Sequence, residues 1–185
     1  GLSEIGNPSE IFLEERSANV SGTSIYPSLE GTRPILIEIQ ALVTNANYNT
    51  AQRNVTGFNY KRLGMLIAVL EKRIGLAMGT KDIFVNLVGG LKIDDPAADL
   101  SIISAIASST MDKYIEKDIV LCGEVGLTGE VRSISHLNHR ITEALSLGFK
   151  KAIVPSFGMK EKLKNVDMDL YPVNNVKETF KILFQ

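Results

Sequence analysis

The stretch Cys122–Pro155, CGEVGLTGEVRSISHLNHRITEALSLGFKKAIVP, most constrains what this chain can fold into. It reads as strand, turn, strand, helix and strand within 34 residues, changing hydrophobic period twice. Ile119-Val120-Leu121-Cys122 leads into it as a short apolar, β-branched run that suits a buried strand. Gly126 and Gly129 bracket a turn, and Glu130–Ile134 alternates polar and apolar residues as a returning, half-buried strand does. Ser135 is placed to cap a helix carrying Leu137, Ile141, Ala144 and Leu145 on one face. Gly148 stops that helix, and Ala152-Ile153-Val154 is a strand closed by Pro155.

The flanking segments repeat this mixture. Residues 1–24 are polar and turn-rich, with one apolar turn over Pro8–Leu13, and read as a linker or docking arm. Ser24–Leu29 is a short strand that tolerates Pro27 only at an edge or an end. After the turn Glu30–Pro34, Ile35–Val43 is a strand with Glu38 and Gln40 facing away from Ile37, Ile39 and Ala41. Thr44–Asn59 holds five asparagines and no clear period, the signature of a long loop. Leu63, Leu66, Ile67, Leu70 and Ile74 follow helical spacing up to Gly75. Asp82–Leu87 is a strand, and Asp94–Asp99 opens a second helix whose buried face is Ile102, Ile103 and Ile106. A short basic helix (Met159–Lys164), a strand (Leu170–Val173) and a closing helix (Val176–Phe184) complete the chain. Hairpins mixed with helical crossovers imply an α+β, mixed α/β fold, with helices packed on a mixed sheet.

At 185 residues the chain can bury one full core. A net charge of −1 offers no global basic field, so any contact with nucleic acid needs a local patch. The single cysteine, Cys122, excludes an internal disulfide and a multi-cysteine zinc site. His136 and His139 read as surface histidines, so no metal is expected. No apolar run reaches the roughly 18 residues of a membrane span, and no basic-then-apolar leader opens the chain, so a cytoplasmic protein is expected, with no membrane partner. GxxxxGK[ST] is absent.

Four segments carry a resemblance. They are Glu30–Pro34 leading to Glu38–Val43, Ala68–Gly75, Val85–Gly90 with Asp95–Leu100, and Gly123–Arg132. In this order they look like the C-terminal domain of the bacterial DNA repair RadA (Sms) family. That domain resembles the proteolytic domain of Lon proteases, whose fold is like the second domain of ribosomal protein S5. The match spans Ile25–Gln185, and the arm at 1–24 is similar to the exit from that family's ATPase core. The resemblance implies a C-terminal fragment, with ATP, Mg and Zn expected only in the missing N-terminal part and no cofactor here.

In active Lon proteases the nucleophilic serine opens a helix and a lysine opens the following one. The matching positions here are Ala97 and Asn138. Alanine has no oxygen to attack with, and an amide takes no proton near neutral pH. The implied domain is therefore non-proteolytic, with no catalytic residue. It would support a homo-oligomer, a hexameric ring, and contact single-stranded or branched DNA during recombination and branch migration, beside a recombinase in the full-length protein. Arg53, Lys61 and Arg62, interleaved with Tyr48, Phe58 and Tyr60, are the candidate DNA contacts, against a solvated loop with core-anchoring aromatics. Lys72-Arg73, Lys92, Arg132, Arg140 and Lys150-Lys151 are the other candidates, most of which read as ordinary surface charge or subunit ion pairs. Two alternatives remain: a peptidase with a relocated nucleophile (Ser101 or Cys122, with His136 or His139 as base), and a pure oligomerisation domain.

Overall fold

The computed structural model describes residues 13–14, 17–47, 50–158 and 166–185. The arm up to Phe12, Tyr48 and the basic segment at 159–165 lie outside them. Four strands form the main sheet in the order β1-β2-β4-β3. β1 (Thr23–Glu30) turns at Gly31 (φ 61°) into antiparallel β2 (Arg33–Asn45), pairing Tyr26 with Ile37 and Pro27 with Leu36. Pro27 thus sits on an outer strand, the position its missing N–H requires. β4 (Lys81–Leu87) lies antiparallel to β2, with Ala41 opposite Val85. β3 (Arg53–Thr56) runs parallel to β4, with Asn54 opposite Phe84. A second, all-parallel sheet orders β5 (Ile119–Leu121), β8 (Lys151–Pro155) and β9 (Asp169–Val173). Between them β6 (Glu124–Val125) and β7 (Val131–Arg132) make a separate hairpin.

α1 (Tyr60–Val69) starts where the Asn59 side chain accepts from the Arg62 N–H. It runs on as a π-turn over Leu70–Ile74 and stops at Gly75 (φ 85°). α2 (Asp99–Met111) follows a 3₁₀ turn at Pro96–Ala98. α3 (Leu137–Ser146) precedes β8, and α4 (Val176–Leu183), capped by Asn175, closes the chain. The architecture is α+β, as the mixture of periods implies.

Several expectations change. The stretch 44–59 is not all loop: β2 reaches Asn45, and β3 lies within it. α2 is buried on every side from Asp99 to Ser108, not on one isoleucine face, because β1, β2 and β5 all pack on it. The returning strand is only Val131–Arg132 and pairs with Glu124–Val125 rather than with Ile119–Cys122, whose partner is β8. The residue capping α3 is His136 (φ 54°), with no side-chain cap bond, and Ser135 contributes its carbonyl instead.

Chain entry to β1 depends on Gly22. Its φ is +91°, and a Cβ there would stand 2.2 Å from the Ala41 carbonyl oxygen. Its N–H donates to Ser108 Oγ at 2.8 Å, and its carbonyl accepts from the Ala41 N–H at 2.7 Å. Gly31 shares the left-handed backbone (φ +61°) in open space. Gly31→Ala is therefore expected to lower unfolding free energy by about 1–2 kcal/mol, and Gly22→Ala by clearly more, read from urea midpoints. Equal losses would mean that the contact with Ala41 is relieved without cost.

Candidate functional site

The turn entering α2 holds Ala97, the position that the resemblance assigns to the Lon nucleophile. Asp95 caps it, its Oδ1 accepting from the Ala97 N–H at 3.0 Å. Pro96 supplies a preset φ at the first helical position. Ala97 is 1% exposed. Its carbonyl accepts from the Gly123 N–H at 2.9 Å, and the Gly123 carbonyl accepts from the Leu100 N–H at 3.0 Å. A Cβ at Gly123 would meet Val131 Cγ1 at 2.7 Å, so only glycine lets the β5–β6 corner come this close.

Two guanidinium–carboxylate pairs flank this turn. Arg140, whose side chain is 0% exposed, donates Nη2 to Asp95 Oδ2 at 2.7 Å. Its Nη1 donates to Tyr26 Oη at 2.8 Å and to the Pro27 carbonyl at 2.9 Å, and its Nε to the Ser135 carbonyl at 2.9 Å. The guanidinium carbon lies 5.7 Å from the Tyr26 ring centroid. On the other side, Arg62 Nε donates to Asp99 Oδ1 at 2.6 Å, and Nη2 bonds Asp99 Oδ2 in the same fork. Asp99, with its side chain fully buried, also accepts from the Val125 N–H at 3.0 Å, tying the hairpin to α2.

Burial pushes the Asp95 carboxyl up, but the Ala97 N–H and the Arg140 guanidinium outweigh it and hold its pKa below the usual carboxylate range. The hydrogen bonds to Asp99 raise the pKa of Arg62. Burial raises that of Tyr26, leaving a neutral phenol that donates to Asp95 Oδ2 at 3.4 Å.

The residues singled out from the sequence fall in different places. Asn138 is exposed on α3, as are His136 and His139, whose rings lie 5.7 Å apart. Ser101 is buried and donates its hydroxyl to the Leu121 carbonyl at 2.6 Å. The buried Cys122 thiol is pushed up to about 12 by burial. Lys61 is exposed, and it shares with Arg62, Phe58, Met65, Asp94 and Asp95 a cleft of ≈ 370 Å³. Arg53 does not line that cleft. Its guanidinium turns inward to the carbonyls of Lys81 and Met78 (2.9 Å for Met78). Phe58 is buried, and Tyr60 is 61% exposed. Among the described residues no group of three or more His, Cys, Asp or Glu side chains could hold a metal ion, and no helix is long and apolar enough to cross a membrane.

Arg140 corrects its reading as surface charge. Its position was legible: Leu137, Arg140, Ile141 and Ala144 share the i, i+3, i+4, i+7 face that α3 buries. Removing it leaves a part-exposed carboxylate, a buried phenol and two carbonyls without their donor. Arg140→Ala should lower stability by about 3–5 kcal/mol in urea unfolding, whereas a loss under about 1 kcal/mol, the size of an exposed pair, would contradict the burial. A group with a depressed folded pKa contributes stability above its unfolded pKa and loses it as pH falls. The stability gap between the wild type and Asp95→Asn should therefore be full at neutral pH and shrink as pH falls below about 4. A gap independent of pH would contradict the ionised Asp95.

A family model described as subunit ChlI of Mg-chelatase matches residues 61–157, more than half of the chain. The DNA repair protein RadA of Bacillus subtilis is 46% identical over 181 residues, covering 98% of this chain and 40% of the relative. RadA of Aquifex aeolicus is 41% identical over 100% of this chain and 40% of its own length. RadA of Streptococcus pneumoniae is 42% identical, with 100% and 44% covered. The chain thus spans about two fifths of the length of these relatives. It belongs to the domain family that the ChlI model describes and corresponds within it to the C-terminal, Lon-protease-like domain of RadA proteins.

Proposed function

We propose that this domain serves DNA repair without proteolysis, as the Lon-like C-terminal module of a RadA-type protein. In this reading it helps to build a hexameric ring and to hold single-stranded or branched DNA during recombination and branch migration, in the cytoplasm and beside a recombinase. ATP and metal chemistry belong to the remainder of the longer family members. One observation carries the reading: Ala97, at the nucleophile position, is 1% exposed beneath Arg140–Asp95 and Arg62–Asp99, while Asn138 at the base position faces solvent. The carboxylates that lock the turn are each paired to a guanidinium, and Ala97 offers no nucleophile.

For DNA, the cleft beside α1 is the favoured contact. Lys61 is exposed and in no ion pair among the described residues, and the Arg62 side chain keeps 25% of its surface outside its pair. Arg53, held on carbonyls, contributes less. Binding of fluorescent single-stranded DNA over a salt series tests this. Lys61→Ala should weaken binding and flatten the log–log salt slope by about 0.7, one phosphate's worth on a single strand; an unchanged slope removes Lys61 from the interface. The same preparation tests proteolysis. The double variant Ala97→Ser with Asn138→Lys should remain unlabelled by a fluorophosphonate and leave casein intact, because position 97 is closed. Labelling of the double variant at that position would show that two substitutions restore a working peptidase.

A further inference from the structure

α2 packs against one side of the main sheet, and the other side is open at its β2–β4–β3 end. Register sets two rows there: Gln40, Asn86 and Thr56 in one, and Leu42, Phe84 and Asn54 in the next. Gln40, Leu42, Asn86, Thr56 and Asn54 are exposed, and Leu42 is 58% so. With the chain leading into β1 they line a hollow of ≈ 400 Å³. No residue lining it carries a charge, in a chain that is 22% charged. Charge lies at the margin: Asp82 precedes Phe84 by two residues on the same face, and the buried Glu38, two residues before Gln40, accepts from Gln40 Nε2 at 3.0 Å.

An uncharged centre with an aromatic and a charged rim is the anatomy of a protein–protein contact. It does not suit nucleic acid, since nothing in the hollow neutralises phosphate. The chain carries a matching protrusion. The tip Gly126-Leu127-Thr128-Gly129 of the β6–β7 hairpin is likewise uncharged, and Leu127 is 65% exposed. This tip is stiff. Gly126 N–H donates to the Glu130 carbonyl at 3.0 Å, Gly129 N–H to the Gly126 carbonyl at 2.9 Å, and Arg73 Nε to the Leu127 carbonyl at 3.3 Å.

We infer that the Leu127 hairpin of one copy of this chain docks in the uncharged sheet hollow of the next copy, around Leu42 and Phe84. The inference rests on the assembly reading above and gives it a mechanism. Knob and hollow are different surfaces, so the contact is head-to-tail, the kind that closes into a ring. The hollow is the centre of the contact, since a standard interface takes about 20–30 residues from each side.

Light scattering after size exclusion tests it on four samples: the wild type, Leu42→Asp, Leu127→Asp, and a one-to-one mixture of the two variants. Both positions are exposed, and circular dichroism confirms that each variant is folded. The wild type should assemble beyond a dimer, and each variant alone should stay monomeric at concentrations where the wild type assembles. The mixture should stop at a heterodimer, because only one intact knob and one intact hollow remain to meet. If the variants assemble like the wild type, or if the mixture stays monomeric, the inference fails while assembly through another surface stands. A wild type monomeric at every concentration overturns the inference and the assembly reading together.

Discussion

The Arg140 guanidinium is the interaction on which the rest depends. A charge with no exposed side-chain surface is tolerated only when its donors find acceptors in good geometry. Here they come from three separate parts of the chain: Tyr26 and Pro27 on β1, Asp95 at the head of α2, and Ser135 before α3. One side chain therefore sets the distance between the main sheet, the central helix and the helix that carries it. The left-handed backbone of His136 fits this arrangement, since it turns the chain so that the Ser135 carbonyl meets Arg140.

The same network decides what chemistry the scaffold can perform. A nucleophile at a helix start works when its oxygen faces substrate and a base stands within hydrogen-bond reach. In this chain the corresponding turn is buried at Ala97, bonded to Asp95 at its start and to the Gly123 corner through the Ala97 carbonyl, with the Arg140–Asp95 and Arg62–Asp99 pairs at its two ends. Polar groups there serve one another. Asp99 also holds the Val125 N–H, so the hairpin that ends in Leu127 is anchored through the turn that matches the Lon nucleophile.

Much of this fold was legible because periodicity reports burial directly. α1, β4, α3, β8 and α4 follow from apolar spacing and from asparagine or glycine at their ends. β3 was not, because Arg53-Asn54-Val55-Thr56 has one apolar residue and exists as a strand only through its pairing with β4. α2 was legible as a helix but not as the centre of the core. Its isoleucines marked one buried face, whereas Ser101 and Ser108 on other faces are buried too and bond carbonyls. The candidate site was legible as a list of residues and not as their surroundings. Ala97 and Asn138 follow from the resemblance, and the burial of Arg140 from its helical face. Local sequence could not say that Arg62 turns inward or that Arg140 meets Asp95 and Tyr26, since Asp99 lies 37 residues from Arg62, and Asp95 and Tyr26 lie 45 and 114 residues from Arg140.

The central claim is that the turn at Ala97 is a closed part of the core. Native-state hydrogen exchange of the Gly123 and Val125 amides reports on it directly, because these N–H groups donate to the Ala97 carbonyl and to Asp99. The account predicts that both exchange only through global unfolding, with the same free energy as the α2 amides. Exchange of either through a low-energy local opening, well ahead of α2, would show that the turn opens in the native protein and would contradict the account.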